Sequence, residues 1–543
     1  MSNIDYSNKH FLVIDNIKAS HDVLKKFAMS LTSKRVDSTH YAQDAIPLCL
    51  EKQYDVVFLG YDLGEKQKNG QQILEELRLS QVISLHCVVI IITAEISQAM
   101  VLAALEHKPD SYLCKPYTVK ELGKRLNNCI RKKETMAFIY RALEEDDRDL
   151  AIELVDLALE KSTPYRMECL GIKARQLFEL QRYDEAKAIY NAHKSDINCT
   201  WANIGLGKIA LQENKITNAE AIFKEVIRQK PLYLPGYDWL ANTYENTQNL
   251  FFAEDILEQA LKISPRSVLR LKKYAGLCFD NKHYEKATKA YDKVYQIAHN
   301  SIHHCPENAL LYANSLAHFS TELPVVQAKK MHNKAFGMLS QVNKSFNQPN
   351  IKIQSYLLSA CLFENVQEYN IAKGKLDQGL TLLELEQHNI DTASLKNIAN
   401  SLIKLDRQSK ASQILVSVDE RQQNITTSTT NIGDISPKKL NNNYTAKAQK
   451  ALNTSKELYD LKKYNEAINA LKEALILYPN HIGIKLNLLH ILLESYEESD
   501  VRQSELMLAK KLILELISKD KDEDEKLRFK KIKRKYQQLA SFN

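Results

Sequence analysis

Asp15 and Asn16, then Gly60 with Asp62 just beyond it, then Thr93, then Lys115 punctuate the first part of this 543-residue chain. The functional groups in that series are two carboxylates, a hydroxyl and an ammonium. A carboxylate can attack an electrophilic centre or hold a divalent cation, and a cation or ammonium offsets negative charge on a transferring group. Four of these positions (Asp15, Gly60, Thr93 and Lys115) end or directly follow a short apolar run, so whatever chemistry they support belongs to one edge of a sheet.

The runs are FLVID (Phe11–Asp15), DVVFLG (Asp55–Gly60), CVVIIIT (Cys87–Thr93) and SYLC (Ser111–Cys114). They are apolar on both faces, as parallel strands covered by helices on two sides must be. Helical patterns lie between them at about Ser20–Ser33, Asp44–Glu51, Gly70–Leu79 and Ser97–Leu105, and a last helix begins near Thr118. Strands alternating with helices predict a doubly wound, five-stranded parallel α/β domain over residues 1–133. Ligands of such sheets sit beyond the carboxyl ends of the strands, where the series above is found.

On these residues the domain resembles the receiver domain of two-component response regulators, over about residues 10–132. The resemblance rests on VID closing the first strand, IIIT in the fourth and SYLCKPYTVKEL after the fifth. It implies a site where an acidic pair binds magnesium, an aspartate ending the third strand takes a phosphoryl group, and a hydroxyl and a lysine contact the phosphoryl oxygens. By that resemblance Asp15 matches one magnesium ligand, Asn16 stands where a second acid is usual, and Thr93 matches the switch hydroxyl. Lys115 matches the lysine, Pro116 the proline after it (a place for a cis bond), and Tyr112 the aromatic whose rotation reports activation. Counting along the third strand puts Gly60, which has no nucleophile, at the acceptor position. Counting back eight residues from Gly70 instead gives Asp62, so Asp62 as a displaced acceptor sharing a metal with Asp15 is the alternative. The strand count is preferred, because a register change inside a buried strand misplaces every side chain while a loop absorbs two residues at little cost. On the plainer reading Asp15 and Lys115 only pair with each other, and Tyr112 is a core-edge aromatic. No cofactor is then required, and Mg2+ is expected only if the site is active.

From about residue 136 the strand signals stop and a repeat begins. Ala151, Ala186, Ala219, Ala253 and Ala287 are spaced 35, 33, 34 and 34 residues apart, and Tyr190, Phe223, Leu257 and Tyr291 each follow their alanine by four. An alanine lets two helices approach and the large residue one turn later fills the groove beside it. A period near 34 with this pattern is the tetratricopeptide signature, predicting an all-α solenoid over 136–299. A further copy carries Ala467, Leu471, Ala474 and Pro479. Degenerate helical repeats are expected at 300–420, a flexible linker at 421–443 (Arg421–Asn443, rich in Asn, Thr and Ser), and a C-terminal unit at 444–543.

Composition narrows the functions. Glycine (14) and proline (12) are too scarce for a turn-rich β fold, and a net charge of +7 over 543 residues does not by itself imply nucleic acid. Nine scattered cysteines without a Cys-x-x-Cys pair suit reduced thiols. The opening MSNIDYSNKH lacks the charged-then-apolar pattern of a secretion signal and the longest apolar run, Cys87–Ile92, is too short to cross a bilayer, so a cytoplasmic, membrane-free protein is expected. His303, His304 and Cys305 read as a surface loop rather than a metal cluster. The basic run Lys526–Lys535 reads as a solvated helix capping the array, with RNA binding as its alternative. Together these features lead to a non-enzymatic signalling adaptor or scaffold of a two-component-type pathway. It is expected to bind protein partners through its repeats and to dock either a partner or a second copy of itself through its receiver-like domain. A phosphorylation-switched regulator using Asp62 is the second reading, and an RNA-binding regulator the third.

Overall fold

Runs that are apolar at every position become central strands. In the computed structural model β1 (His10–Ile14), β3 (Val56–Gly60) and β4 (Val88–Thr93) are buried almost throughout. They lie between β2 (Arg35–Thr39) and β5 (Ser111–Cys114) in an all-parallel sheet of order β2-β1-β3-β4-β5. The structure describes residues 4–31, 35–64, 67–94, 97–196, 198–427, 461–477, 482–498 and 528–536, with isolated positions between 455 and 516. Helices α1 (Lys18–Ser30), α2 (Ala42–Glu51), α3 (Gly70–Leu79), α4 (Gln98–Glu106) and α5 (Val119–Thr135) connect and follow the strands. The sheet order reverses between β1 and β3, and the crevice that this opens at their carboxyl ends is the natural site of the fold.

Met136 caps the C-terminus of α5 and the N-terminus of α6 (Ala137–Glu144), so the helical array starts without a linker. Buried Lys133 fastens this junction: its Nζ donates to the Leu85 carbonyl at 2.6 Å and pairs with Asp110 at 2.8 Å. Helices then run in antiparallel pairs: α6 with α7 (Arg148–Glu160), α8 (Arg166–Glu179) with α9 (Tyr183–His193), α10 (Thr200–Gln212) with α11 (Ile216–Gln229). The series goes on as α12 (Leu234–Asn246) with α13 (Leu250–Ile263), and α14 (Val268–Asp280) with α15 (Tyr284–Ala298). All five spaced alanines are fully buried on the second helix of a pair. Two of the large residues one turn on, Tyr190 of α9 and Phe223 of α11, fill the space left by missing side chains on α10 between them. A Cβ on Gly205 would lie 2.2 Å from the Tyr190 ring, and one on Gly207 2.3 Å from Phe223.

Three more pairs follow: α16 (Pro306–Ser320) with α17 (Val325–Ser345), α18 (Pro349–Asn365) with α19 (Tyr369–Glu386), and α20 (Thr392–Lys404) with α21 (Gln408–Thr427). Their first helices start at 306, 349 and 392, a period of 43 instead of 34, because the second helices have lengthened to 21, 18 and 20 residues. The turn between paired helices keeps one geometry in every pair but α16 with α17, Asp146 holding the place in the first pair. Gln181, Asn214, Gln248, Lys282, Gln367 and Asp406 all take a positive φ there. Left-handed backbone costs a non-glycine residue about 1–2 kcal/mol. Lys282→Gly is therefore expected to raise stability by roughly 0.5–1 kcal/mol in urea denaturation, and an unchanged or lowered midpoint would mean that the Lys282 side chain contributes more than its strain.

The expected linker at Arg421–Asn443 needs correction at its start, since α21 continues through Thr427. Once a helix is nucleated each added residue gains a hydrogen bond, so a polar sequence can extend it. Residues 428–443 lie outside those described. The chain divides into two compact units, residues 1–77 with 83–431 and residues 78–82 with 432–543. In the second unit α22 (Tyr464–Leu477) and α23 (Ile482–Glu498) bury Ala467, Leu471 and Ala474, while Pro479 is outside the described residues. The described part of the basic run, residues 528–536, is helical and not simply solvated. Ile532 enters that core with Phe529 and Tyr536 beside it, Arg528 donates to Asn487, and Lys535 pairs with Glu494 at 2.6 Å. Among the described residues no helix is long and apolar enough to cross a membrane.

Candidate functional site

Parallel pairing places the residues singled out above. β1 pairs with β3 so that Ile14 faces Leu59, and β3 pairs with β4 so that Gly60 faces Ile92. Asp15 and Gly60 therefore flank the crevice, and a Cβ on Gly60 would stand 3.3 Å from the Asp15 carboxyl carbon and 3.1 Å from the Ile14 carbonyl. Gly70, the first residue of α3, closes over the same strand end: a Cβ there would be 2.4 Å from the Gly60 carbonyl oxygen.

Asp15 is 1% exposed, and its carboxylate is engaged on both oxygens. Oδ1 accepts the Ile17 N–H at 2.9 Å, and Oδ2 accepts Ser20 Oγ at 2.6 Å and Lys115 Nζ at 3.0 Å. The His40 ring approaches the Asp15 carbonyl at 3.0 Å and packs at a tilt against buried His21. Burial pushes the Tyr117 phenol up; Ser20 opposes this and the Asp15 charge adds to it. Thr93 is buried at the end of β4, and its carbonyl accepts the Lys115 N–H at 2.6 Å. The Lys115–Pro116 peptide is cis. Asn16 and Asp62 are exposed, and Asp62 Oδ1 accepts the Gly64 N–H at 3.1 Å within its own turn. Tyr112 is half-buried on β5.

The structure thus joins Asp15 to Lys115, sets Gly60 beside them, and leaves Asp62 on the outer loop. These residues do not fit a magnesium ion. The Asp15 oxygens already accept three hydrogen bonds, Asn16 brings no charge, and Gly60 brings no ligand. Among the described residues no three His, Cys, Asp or Glu side chains gather as a metal-holding group. Ser20 and His40 were not legible in the sequence as neighbours of Asp15. Ser20 carries a weak signal, lying one turn into the helix that follows the strand, whereas His40 carries none.

A second cluster joins the receiver-like domain to the solenoid, and sequence reasoning missed it. Arg270 of α14, 5% exposed, donates through Nη2 at 2.9 Å to Glu106 at the end of α4 and through Nε at 2.9 Å to Asp238 of α12. Ser264 also donates to Glu106, and Gln72 of α3 donates to the Ile297 carbonyl at 3.0 Å. His303, expected in a surface loop, is instead half-buried and 2.7 Å from Glu75 of α3. Its neighbour His304 is exposed. Burial holds the His107 imidazole below its ordinary range, against the raising effect of Glu75 and Glu106.

Comparisons with known proteins agree with the N-terminal architecture. Residues 11–127 match the family model of the response regulator receiver domain, so the chain carries a receiver domain at its N-terminal side. The response regulator ArlR of Staphylococcus aureus (strain Mu50 / ATCC 700699) is 31% identical over 98 residues, 18% of this chain and 42% of ArlR. The match spans less than half the length of that relative. Among solved structures, a two-component response regulator from Clostridium difficile is 24% identical, covering 23% of this chain and 97% of that one with a TM-score of 0.21. A tetratricopeptide repeat protein from Parabacteroides merdae ATCC 43184 is 13% identical, covering 46% and 92% with a TM-score of 0.28.

Proposed function

We propose that this chain is a non-enzymatic, cytoplasmic signalling adaptor of a two-component-type pathway, whose receiver domain is held in one state and whose repeats present a surface to protein partners. The observation that carries this reading is Gly60 at the carboxyl end of β3, beside an Asp15 carboxylate already satisfied by Ile17, Ser20 and Lys115. A phosphoryl switch needs a nucleophile and a cation site at this place, and the crevice offers an ion pair instead. The receiver then serves as a folded platform, and α3 and α4 dock it on the repeats. Antiparallel helix pairs stacked in series give the extended inner surface on which such arrays hold partners. Nine scattered cysteines without a Cys-x-x-Cys pair suit a reducing compartment.

Calorimetry on the full chain with magnesium and beryllofluoride, a mimic of a phosphorylated aspartate, tests the receiver half of this reading. No saturable heat is expected. Saturable binding abolished by Asp62→Ala would establish the phosphorylation-switched alternative. Co-purification from native cells tests the other half: a stoichiometric protein partner retained in moderate salt is expected, and its absence overturns the adaptor.

A further inference from the structure

At the edge of the sheet opposite the Asp15 crevice, the amino-terminal ends of the strands border a cavity of about 280 Å³. Asp55 and Val88 line it from the sheet, Ile130 from α5, and Ala137 and Arg141 from α6. The cavity therefore lies across the seam, with walls from the receiver domain and from the first helix of the array.

Most of the charge around it is already matched. Lys9 pairs with Glu134 at 3.0 Å, and Lys133 pairs with Asp110 at 2.8 Å while its ammonium lies 5.0 Å from the Tyr140 ring centre. Two opposite charges on the lining are left, Arg141 and Asp55, both exposed. Neither has an ion-pair partner among the described residues, each other included. Asp55 Oδ2 accepts the His10 N–H at 2.8 Å, and Oδ1 has no hydrogen bond among the described residues. His86, also on the lining, packs edge-on against Tyr140 with ring centres 6.0 Å apart. Burial holds its imidazole below the ordinary range, against the raising effect of Glu144, so at neutral pH it offers an uncharged N–H.

A simple anion entering this cavity meets Arg141 but also the Asp55 and Glu134 carboxylates, and a simple cation meets Asp55 but also Arg141 and Lys133. A molecule carrying both charges meets a complement for each. We infer that the cavity binds a free aliphatic α-amino acid, its carboxylate on Arg141 and its ammonium on Asp55. Val88, Ile130 and Ala137 supply an apolar wall for the side chain, and His86 a second donor for the carboxylate. The volume lies just under the ~300–1,000 Å³ of pockets that enclose drug-sized ligands, which matches a molecule of this size rather than a nucleotide. Bound there, the ligand ties α5 to α6 across Met136 and gives the chain an input that does not pass through the crevice. The inference does not depend on the adaptor reading.

The probe is L-leucine, titrated into the full chain by isothermal calorimetry alongside L-leucinamide, which lacks the carboxylate, and isocaproate, which lacks the ammonium. Saturable binding of leucine is expected, with each analogue weaker by about tenfold or more, the factor that one charge-assisted hydrogen bond provides. Arg141→Gln and Asp55→Asn are each expected to weaken leucine by a similar factor, and the asparagine oxygen can still accept the His10 N–H. Unchanged melting temperatures without ligand show that both variants remain folded, and the two analogues test the site on the unaltered chain. No saturable heat with leucine, equal binding of either analogue, or parental leucine affinity in a folded Arg141→Gln or Asp55→Asn chain overturns the site.

Discussion

Arg270→Met is expected to destabilise the first unit by about 2–4 kcal/mol, although the substitution is apolar and close in volume. The guanidinium is 4% exposed and lies between the Glu106 and Asp238 carboxylates. Removing the central cation leaves two acids facing each other, and breaking a buried pair on one side typically costs about 3–5 kcal/mol. Asp238 is 41% exposed and can regain water, which places the expected loss toward the lower part of that range. Both tryptophans of the chain, Trp201 and Trp239, lie in the solenoid, so urea denaturation followed by their fluorescence reads the effect. The triple variant Arg270→Met, Glu106→Gln, Asp238→Asn should recover part of the loss, because no charge is then stranded. A single variant within about 0.5 kcal/mol of the parent would show that the triad is well solvated and that the receiver is held elsewhere.

Phe223→Ala is expected to cost about 3–5 kcal/mol, the usual range for emptying a buried phenylalanine site. Phe223 is fully buried, and its ring covers Gly207 so closely that a Cβ there would lie 2.3 Å away. Gly207→Ala alone should therefore cost about 1–3 kcal/mol through overpacking. Combined, the two changes should cost less than their sum by about 1 kcal/mol or more, since the new methyl enters space that the ring has left. Strict additivity in urea denaturation would mean that the ring does not depend on the missing side chain.

The glycine–aromatic pairing also illustrates what the sequence could reveal. The 34-residue spacing of alanines exposed the array because close helix packing tolerates few residue types, and each buried site then leaves a mark. The three pairs from Pro306 to Thr427 hid their repeat because longer second helices shifted the period to 43. The polar edge strand β2, RVDST, offered no apolar run, and only the sheet topology locates it. At the crevice, strand counting predicted the position of Gly60, because buried parallel pairing fixes register. The hydrogen bonds of Asp15 to Ser20 and Ile17 depend on how the chain turns into α1, which residue type alone does not determine. The Arg270 cluster was illegible for another reason. Its members lie 32 and 164 residues apart, and an arginine destined for burial looks in sequence like one destined for water.

Met136 gives the chain a property that a description by domains conceals. A recombination event breaking the gene between codons 135 and 136 would separate no modules. It would divide a cap shared by two helices and part Lys133 and Leu85 from the helix packed beside them. A transplanted receiver without an acid at the place of Glu106 would set the buried Arg270 against Asp238 alone. Receiver and repeats are therefore expected to be inherited as one piece, with insertions and deletions tolerated in the turns between later helix pairs and selected against at this seam.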